Sequence, residues 1–527
     1  MPDTQGAGQM NGAESLVRTL VASGVDTCFA NPGTSEMHFV AALDRVPGVR
    51  CILGLFEGVV SGAADGYGRM TDRPAATLLH LGPGLGNALA NLHNAKKART
   101  PMVNVVGDHA THHAGYDAPL SSDVEGVARP MSHWVRTSPD AQRIAADGAQ
   151  AVAESLTGAG RIATLILPAD TAWNPSNGPA APVAIPPKPR VPEEAVEIAA
   201  NILRQNDDTV IILAGKGLRA RTIGLTSRIA ARTGAAMLAP TSNARVERGA
   251  GRTPIKRIFY AVDAALEQLS PYRNAILVGV DEPPVAFFAY PGKPSLTLPP
   301  TCTVHRLAGV DDDLADALER LAVMVDAADT EPVVQDRVIT GLPHEGGITP
   351  ETIAQTVAAL LPENAIIVDE GISCSRALYA ATAGAPAHDW LALTGGSIGI
   401  GMPLAAGAAV ACPDRKVVNF QADGSGLYTA QALWTQAREQ LDILTVVFAN
   451  NAYASLDVEL ANVGAINPGR TARDMLELDR PVIDWVSLAK GYGVPGARAQ
   501  TLDQLITLMR EGLARKGPML IEVPCEA

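Results

Sequence analysis

The sequence has few charged and few aromatic residues, and it lacks the long apolar run of a membrane span. Charged residues make up 18% and aromatic residues 4% of the 527 residues, and the net charge is −13. This acidic balance argues against nucleic acid as a partner, because the phosphate backbone is bound by a basic surface. No apolar stretch approaches the roughly 20 residues that cross a bilayer, so no membrane partner is expected.

Cysteine is also scarce. The six cysteines form no Cys-x-x-Cys pair and recur at no regular interval, which favours reduced thiols over a disulfide framework. The polar N-terminal stretch, residues 1–12, has no basic run before an apolar core, so a secretion signal is not expected. Together these features predict a soluble, cytoplasmic protein.

Apolar runs that end in glycine turns recur along the whole chain. Runs such as TVIILAG (209–215) and VVNFQADG (417–424) lead into helical patterns, which indicates buried parallel strands with crossover helices. Two breaks, near 177–195 and 329–351, separate three segments of this kind. We therefore predict an α/β protein with three doubly wound parallel-sheet domains. The expected domains span residues 10–178, 192–330 and 346–527.

The chemistry is expected beyond the carboxyl ends of the strands, where open α/β sheets bind their ligands. Asp423 follows one apolar strand, and Asn450 ends the next. Asp-Gly and Asn-Asn are common turn pairs, so either one alone is more often structural. In combination they place a carboxylate and an amide oxygen side by side. Gly424 and Ser425 begin a helix there, so its backbone N–H groups can hold a diphosphate beside a Mg²⁺ ion.

The spacing of Asp423-Gly-Ser and Asn450 resembles the cofactor motif of the thiamine diphosphate (ThDP)-dependent 2-oxo acid decarboxylase and acetolactate synthase superfamily. The resemblance implies that Asp423, Asn450 and the backbone carbonyl of Ala452 bind Mg²⁺. Tyr453 follows these ligands and belongs to the expected cofactor site. Among the departures from the motif, Ala422 stands where the family has glycine.

Glu57, within LFEGVVSG (55–62), resembles the glutamate that activates the cofactor in this family. Taken alone, a glutamate at this place is an ordinary first-turn helix charge. The motifs FANPGTSE (29–36) and HLGPGLGN (80–87) stand upstream and downstream in the family's order, which favours the activating role. The resemblance also implies that Thr34 faces the substrate.

Histidines are the candidate proton donors. His80 matches a position where benzoylformate decarboxylase-like members carry a catalytic histidine, and a core histidine at a strand end is the alternative. His112 and His113 resemble the proton-handling pair of pyruvate decarboxylases. Together with His109 they also suit a metal site, but no carboxylate or cysteine stands at ligand spacing.

The C-terminal segment adds a glycine-rich loop, TGGSIGIG (394–401). Gly395 and Gly396 allow backbone to approach the cofactor closely, and Ile398 occupies the place of the aliphatic residue beneath the cofactor in related enzymes. Ser373 is a candidate ligand of a diphosphate oxygen, with an ordinary helix cap as the alternative. FAD is not expected, because the middle segment is short and has no second phosphate-binding glycine cluster.

The spacing of the glycines does not match the motifs of two other nucleotide-binding classes, the dinucleotide-binding proteins and the P-loop proteins. GPGLGN (82–87) has Asn87 where the third glycine of a dinucleotide fingerprint belongs. AGKGL (214–218) has Lys216 without the flanking residues of a P-loop.

The expected function is Mg²⁺- and ThDP-dependent cleavage of the C1–C2 bond of a 2-oxo acid, with release of CO₂ and an aldehyde. The alternative is an acetolactate synthase-like carboligase, which joins the fragment left after CO₂ loss to a second carbonyl. The histidines favour the decarboxylase. Leu456, Phe287 and Phe288 argue the other way, because they replace the acidic and histidine residues of known decarboxylases. A non-catalytic ThDP-binding relative is a further alternative, and the resemblance implies a homodimer at minimum, with a homotetramer as the expected assembly.

Overall fold

Buried runs of valine, isoleucine and leucine form the strands of three sheets in the part of the chain that the structure describes. The computed structural model describes residues 10–465 and 467–525. Its contacts divide the chain into two units. The first unit contains the residues up to Pro187 with Thr394–Pro413 and Thr429–Leu441, and the second contains Lys188–Leu393, Asp414–Tyr428 and the segment from Asp442 onward.

The sheet of the first unit is parallel throughout. Its strands are β1 (Thr27–Asn31), β2 (Arg50–Leu53), β3 (Ala75–Leu79), β4 (Met102–Asp108), β5 (Trp134–Thr137) and β6 (Ile162–Pro168). They pair in the order β2-β1-β3-β4-β6-β5. From β1 the chain adds β2 on one side of the sheet and then crosses to add β3 on the other side. The segments that leave the neighbouring strands β1 and β3 therefore meet at a topological switch point.

The second unit begins with a parallel sheet of its own. Its segment of chain forms β7 (Thr209–Leu213), β8 (Ala236–Ala239), β9 (Val246–Arg248, which joins the next sheet), β10 (Lys256–Arg257), β11 (Asn274–Val278) and β12 (Thr303–Ala308). The strands pair in the order β10-β8-β7-β11-β12.

The other sheet of the second unit has a switch point as well. Its further strands are β13 (Ile366–Glu370), β14 (His388–Ala392), β15 (Val417–Ala422), β16 (Ile443–Ala449), β17 (Gly496–Arg498) and β18 (Met519–Pro524). The order is β17-β18-β16-β15-β13-β14-β9, parallel except where the edge strand β9 pairs with β14. All seven residues of β16 are buried, as expected for a strand covered on both faces. The switch point lies between β13 and β15.

Helices connect the strands. They are α1 (Gly12–Ala22), α2 (Met37–Arg45), α3 (Glu57–Thr71), α4 (Leu81–Ala98), α5 (Val124–Ala128), α6 (Ile144–Leu156), α7 (Ala169–Trp173), α8 (Glu193–Gln205), α9 (Ala220–Thr233), α10 (Val262–Leu269), α11 (Leu314–Met324), α12 (Pro350–Leu360), α13 (Leu378–Ala381), α14 (Gly401–Ala411), α15 (Asp423–Gly426), α16 (Ala432–Arg438), α17 (Ala454–Asn462), α18 (Arg470–Asp474), α19 (Trp485–Gly491) and α20 (Leu502–Ala514). Short 3₁₀ turns occur at Thr34–Glu36, Arg129–Met131 and Gly215–Leu218.

Helices α3 and α14 pack closely within the first unit because glycines remove the side chains between them. A Cβ at Gly66 would overlap the carbonyl oxygen of Leu404, and a Cβ at Gly407 would overlap that of Ala63. Every residue of α3 except Thr71 is buried. The two helices therefore form a rigid support for Glu57, the first residue of α3.

The expected fold class, three doubly wound parallel-sheet domains, is confirmed. Residues 176–192 and 327–349 contain neither helix nor strand. The polar stretch at residues 1–9 and the last two residues of the expected C-terminal domain lie outside the described residues. None of the described helices combines the length and the apolar character needed to cross a bilayer.

Candidate functional site

Two chain segments leave the first sheet side by side at its switch point. After β1 the chain forms the 3₁₀ turn Thr34–Glu36, and after β3 it reaches His80, the residue that precedes α4. Thr34 is exposed, whereas Glu36 is completely buried. Leu81 has a φ of +47°, a conformation that a bulky residue rarely adopts. Strained backbone of this kind is found where a structure holds a functional side chain in place.

Glu36 is the partner of His80. The Oε2 atom of Glu36 accepts a hydrogen bond from the backbone N–H of Gly33 at 2.7 Å and lies 2.8 Å from Nδ1 of His80. Burial raises the pKa of the Glu36 carboxyl, and the contact with His80 opposes that rise. The Oε1 atom is buried without a hydrogen-bond partner in the described chain, and a Cβ at Gly107 would overlap it. With Nδ1 directed at Glu36, the Nε2 atom of His80 is the one available to a substrate.

Residues of α4 contact the carboxylate of Glu57. It is 8% exposed, and its Oε2 atom accepts a hydrogen bond from the Asn87 amide at 2.9 Å. A Cβ at Gly84 would lie 2.8 Å from Oε1 of Glu57 and 3.2 Å from Cβ of His80. Gly84 is therefore adjacent to both side chains, so the structure brings Glu57, His80 and Glu36 into one cluster.

His112 and His113 lie in an exposed loop after β4. The His112 ring is 6.4 Å from that of Trp173, and the His113 ring is 5.2 Å from that of His109, measured between centroids. Neither imidazole forms a hydrogen bond within the described chain. The described residues contain no group of three or more His, Cys, Asp or Glu side chains placed to hold a metal ion.

The glycine-rich loop belongs to the first unit and is fixed by α4. The Asn94 Oδ1 atom accepts from the backbone N–H of Gly395 at 3.1 Å, and its amide donates to the Ser397 carbonyl at 2.7 Å. Gly396 has a φ of +76° and is exposed, and Ile398 is half-buried. Hydrogen bonds from the loop backbone to the Asn94 side chain therefore hold the loop that carries Gly396 and Ile398.

In the second unit, Asp423 is placed by β15 and the first turn of α15. It is 1% exposed, its Oδ1 accepts from the Gly424 N–H at 2.8 Å, and its Oδ2 accepts from the Asn451 N–H at 2.6 Å. Burial raises the pKa of the Asp423 carboxyl, and backbone N–H donors oppose the rise. Ala422 has an ordinary extended conformation, φ −75° and ψ 146°, so alanine fits this turn without strain.

Asn450 follows β16, the strand next to β15. Its Oδ1 lies 3.2 Å from the backbone nitrogen of Ala452, and Asn451 turns the chain with a φ of +55°. The ring of Tyr453 packs on Gly424, where a Cβ would lie 2.5 Å from it. The loop therefore closes on the start of α15, and only glycine fits at its closest approach.

A buried polar network lies beneath this loop. The Gln421 amide donates to Oε2 of Glu370 at 2.8 Å and contacts Oγ of Ser425 at 2.6 Å. Ser425 also donates to the Ala422 carbonyl at 3.1 Å. Ser373 is half-buried in the loop after β13, the neighbour of β15 at the switch point. These contacts fix the turn that carries Asp423.

The residues around Asp423 suit a hard cation with a diphosphate. A carboxylate, an amide oxygen and a backbone carbonyl are the ligand types that Mg²⁺ accepts, and a cation would offset the cost of burying Asp423. The first residues of α15 can offer backbone N–H groups to phosphate oxygens. The donor set of Asp423, Asn450 and Ala452 therefore fits the group that the sequence implies.

Two side chains of the first cluster were missed by sequence reasoning. In the sequence, Glu36 only ends the FANPGTSE motif, and Asn87 only stands where a dinucleotide fingerprint has glycine. Glu36 lies 44 residues from His80 and Asn87 lies 30 residues from Glu57, so no local pattern links either pair. A usable signal for Asn87 was its helical spacing, three residues after Gly84 and seven after His80.

Comparison with known proteins identifies the class. The profile of the thiamine pyrophosphate enzyme N-terminal TPP binding domain matches residues 10–133, and that of the C-terminal TPP binding domain matches residues 371–523. The chain belongs to the ThDP-dependent enzymes.

Individual relatives carry two kinds of name. The chain is 50% identical to the Mycobacterium tuberculosis protein named "Putative acetolactate synthase large subunit IlvX", over 98% of this chain and 99% of the other. It is 28% identical to benzoylformate decarboxylase of Pseudomonas aeruginosa, over 95% and 96% of the two chains. The solved ThDP-dependent 4-hydroxybenzoylformate decarboxylase of Rhodococcus jostii RHA1 has the same fold, with a TM-score of 0.85 at 24% identity over 98% and 99% of the chains. The chain is thus related to both acetolactate synthases and benzoylformate decarboxylases.

Proposed function

We propose that this enzyme cleaves the C1–C2 bond of a 2-oxo acid and releases CO₂ and an aldehyde. The observation that carries the proposal is the pairing of His80 with the buried Glu36, next to Glu57. An aldehyde product requires a proton donor at the reacting carbon. A histidine fixed through Nδ1 presents Nε2–H for that purpose.

The proposed cofactors are ThDP and Mg²⁺, and FAD has no part in the proposal. When bound, ThDP supplies an acidic ring carbon that adds to the 2-oxo group and accepts the electrons released with CO₂. Asp423, Asn450 and the Ala452 carbonyl would bind Mg²⁺. Gly424 and Ser425 at the start of α15 would bind the diphosphate.

The other proposed cofactor contacts come from loops. Ser373 would add a hydroxyl near the diphosphate, and Tyr453 would close the loop over Gly424. Gly395 and Gly396 would face the cofactor through backbone, with Ile398 beneath it.

The remaining residues bind or move protons. Glu57 would exchange a proton with the pyrimidine ring of the cofactor, which its buried position favours. Thr34, exposed beside Glu36, would contact the substrate. His112 and His113 would handle protons from their exposed loop.

The proposal extends to assembly and location. A homodimer at minimum, with a homotetramer as the full assembly, follows from the resemblance to the superfamily. Domain boundaries at 10–178, 192–330 and 346–527 are proposed on the same ground. A cytoplasmic location is supported by the six cysteines, none of which forms a disulfide within the described residues.

Carboligation is the second candidate. It is favoured by one observation, the acetolactate synthase name of the relative that is 50% identical. In that reaction the fragment left after CO₂ loss attacks a second carbonyl, and His80 would not deliver a proton to it. A non-catalytic relative is disfavoured, because Glu57, Asp423 and Asn450 are all present.

Product identity distinguishes these reactions. Purified protein with ThDP and Mg²⁺ is given pyruvate, a branched aliphatic 2-oxo acid and benzoylformate in turn, and CO₂ and organic products are measured. We expect CO₂ with an aldehyde, and a loss of aldehyde in His80→Ala. Acetolactate, unchanged in His80→Ala, would establish the carboligase. No CO₂ from any of the three acids would contradict the proposal for these substrates.

The role of Glu57 has its own test. Glu57→Gln should bind ThDP but lose exchange of the C2 proton for deuterium, because an amide cannot exchange a proton with the pyrimidine ring. Exchange at the wild-type rate in Glu57→Gln would show that Glu57 does not activate the cofactor.

A further inference from the structure

Asn87 forms a hydrogen bond with the side chain of Glu57. Its Nδ2 donates to Oε2 of Glu57 at 2.9 Å. Among the described residues, Asn87 is the hydrogen-bond donor to the Glu57 carboxylate. Asn87 itself is exposed, whereas Glu57 is buried. An exposed amide therefore reaches inward to a buried carboxylate.

Asn87 contacts one of the two oxygens of the Glu57 carboxylate. Oε2 is held by Asn87, while Oε1 lies next to Gly84, where the absence of a Cβ leaves room for it. Gly84 and Asn87 are three residues apart on α4, so they face Glu57 from the same side of the helix. The arrangement fixes the rotation of the carboxylate and distinguishes its two oxygens.

The packing of α4 on α3 does not depend on this bond. The buried Asn91 donates to the Gly58 carbonyl at 2.8 Å, and Ser61 donates to the Ala88 carbonyl at 3.1 Å. These contacts join the two helices independently of Asn87. Because Asn87 is exposed, its truncation leaves no cavity in the core.

We propose that Asn87 is a positioning residue that holds Oε2 of Glu57 and leaves Oε1 to meet the pyrimidine ring of ThDP. The inference rests on the proposed role of Glu57. The amide donor restricts the rotation of the carboxylate, so that one oxygen keeps a fixed position for proton exchange. Asn87 does not touch the cofactor; it acts through Glu57.

The test compares Asn87→Ala, Asn87→Asp and Asn87→Ser, with Asn201→Asp as the control. Asn201 is an exposed asparagine in α8, so an aspartate there changes the net charge equally. Four quantities are measured: the Kd for ThDP with Mg²⁺, the rate of C2 deuterium exchange, the circular dichroism of the bound cofactor, and the Tm of the cofactor-free protein.

We expect the Kd to change by less than about threefold in every variant, because Asn87 does not hold the diphosphate. Exchange should fall about 10- to 100-fold in Asn87→Ala, the loss expected for a misplaced reacting group. Asn87→Asp should fall further, since it removes the donor and adds a second negative charge beside Glu57. The dichroism of the bound cofactor should change in the same order. Asn87→Ser, which keeps a donor, should recover part of the rate.

Two results would overturn the inference. The first is wild-type exchange in Asn87→Ala and Asn87→Asp while Glu57→Gln has lost exchange, because Glu57 would then act without Asn87. The second is a fall in Tm that accounts for the lost rate, with no recovery in Asn87→Ser, because the role would then be structural. If Glu57→Gln itself exchanges normally, the proposed function fails, and that outcome is recognised from the Glu57 variant alone.

Discussion

The Nδ1 atom of His80 lies 2.8 Å from Oε2 of Glu36, a carboxylate with none of its surface exposed. The two residues follow neighbouring parallel strands, β3 and β1, at the switch point of the first sheet. A buried carboxylate that contacts an imidazole fixes the orientation of the ring. In the proposed reaction, proton delivery would depend on this pair.

Replacing Glu36 should impair turnover without impairing cofactor binding. In Glu36→Gln, the imidazole of His80 loses the carboxylate that orients it, so we expect turnover to fall about 10- to 100-fold. Steady-state rates between pH 5 and 9 measure turnover, and the Kd for ThDP measures cofactor binding. Glu14→Gln, which alters a surface ion pair with Arg45, is the control. Wild-type turnover at every pH would exclude a role for Glu36.

The same variant should be more stable than the wild type at neutral pH. Burial raises the pKa of Glu36 above its ordinary value of 4.5, so the fold favours the protonated carboxyl. The stability linked to this group is fully present below pH 4.5 and is lost as the pH rises through the folded-state pKa. Glu36→Gln removes that loss, so its Tm should exceed that of the wild type by about 2 °C at pH 8. Thermal unfolding of the cofactor-free proteins should show the difference shrinking toward pH 5. A lower Tm for Glu36→Gln at pH 8 would contradict this account.

Removing the charge of Asp423 should abolish metal-dependent cofactor binding. Asp423→Asn keeps the shape of the side chain but weakens its attraction for Mg²⁺, so we expect the Kd for ThDP to rise at least about 100-fold. Chelation of Mg²⁺ should weaken ThDP binding in the wild type and have little further effect in the variant. Titration calorimetry with and without Mg²⁺ measures this. Asp457→Asn, an exposed position in α17, is the control and should bind normally. Equal affinities for Asp423→Asn and wild type would rule out Asp423 as a ligand.

The glycine contact between α3 and α14 should be intolerant of a single methyl group. In Gly407→Ala, the new Cβ overlaps the Ala63 carbonyl, and a backbone atom cannot move aside as a flexible side chain can. We expect a loss of about 3 kcal/mol in the free energy of unfolding. Gly86→Ala in α4 is the matched control: nothing lies within 4 Å of its Cβ, so it should stabilise the helix by up to about 1 kcal/mol. Denaturant unfolding of both variants measures the difference. Equal stabilities would show that the contact between α3 and α14 accommodates the methyl group.

The proximity of Asp423 and Asn450 was predictable because each residue follows an apolar strand that the sequence marks. Asp423 and Asn450 each follow an apolar strand, and consecutive parallel strands of this kind often pair, so spacing alone brings the two side chains together. The turn at Ala422 was different. The family pattern marks its methyl group as a departure, whereas the extended φ and ψ of Ala422 show that the turn accepts it.

The amino-acid sequence by itself determined the fold class and the order of the motifs, because apolar runs and glycine turns act over a few residues. Only the tertiary structure decided which side chains contact His80 and Glu57. Glu36 meets His80 because β1 and β3 are neighbours across the switch point, and Asn87 meets Glu57 because α4 packs on α3. Such pairings depend on strand order and helix packing, which bring together residues that are distant along the chain.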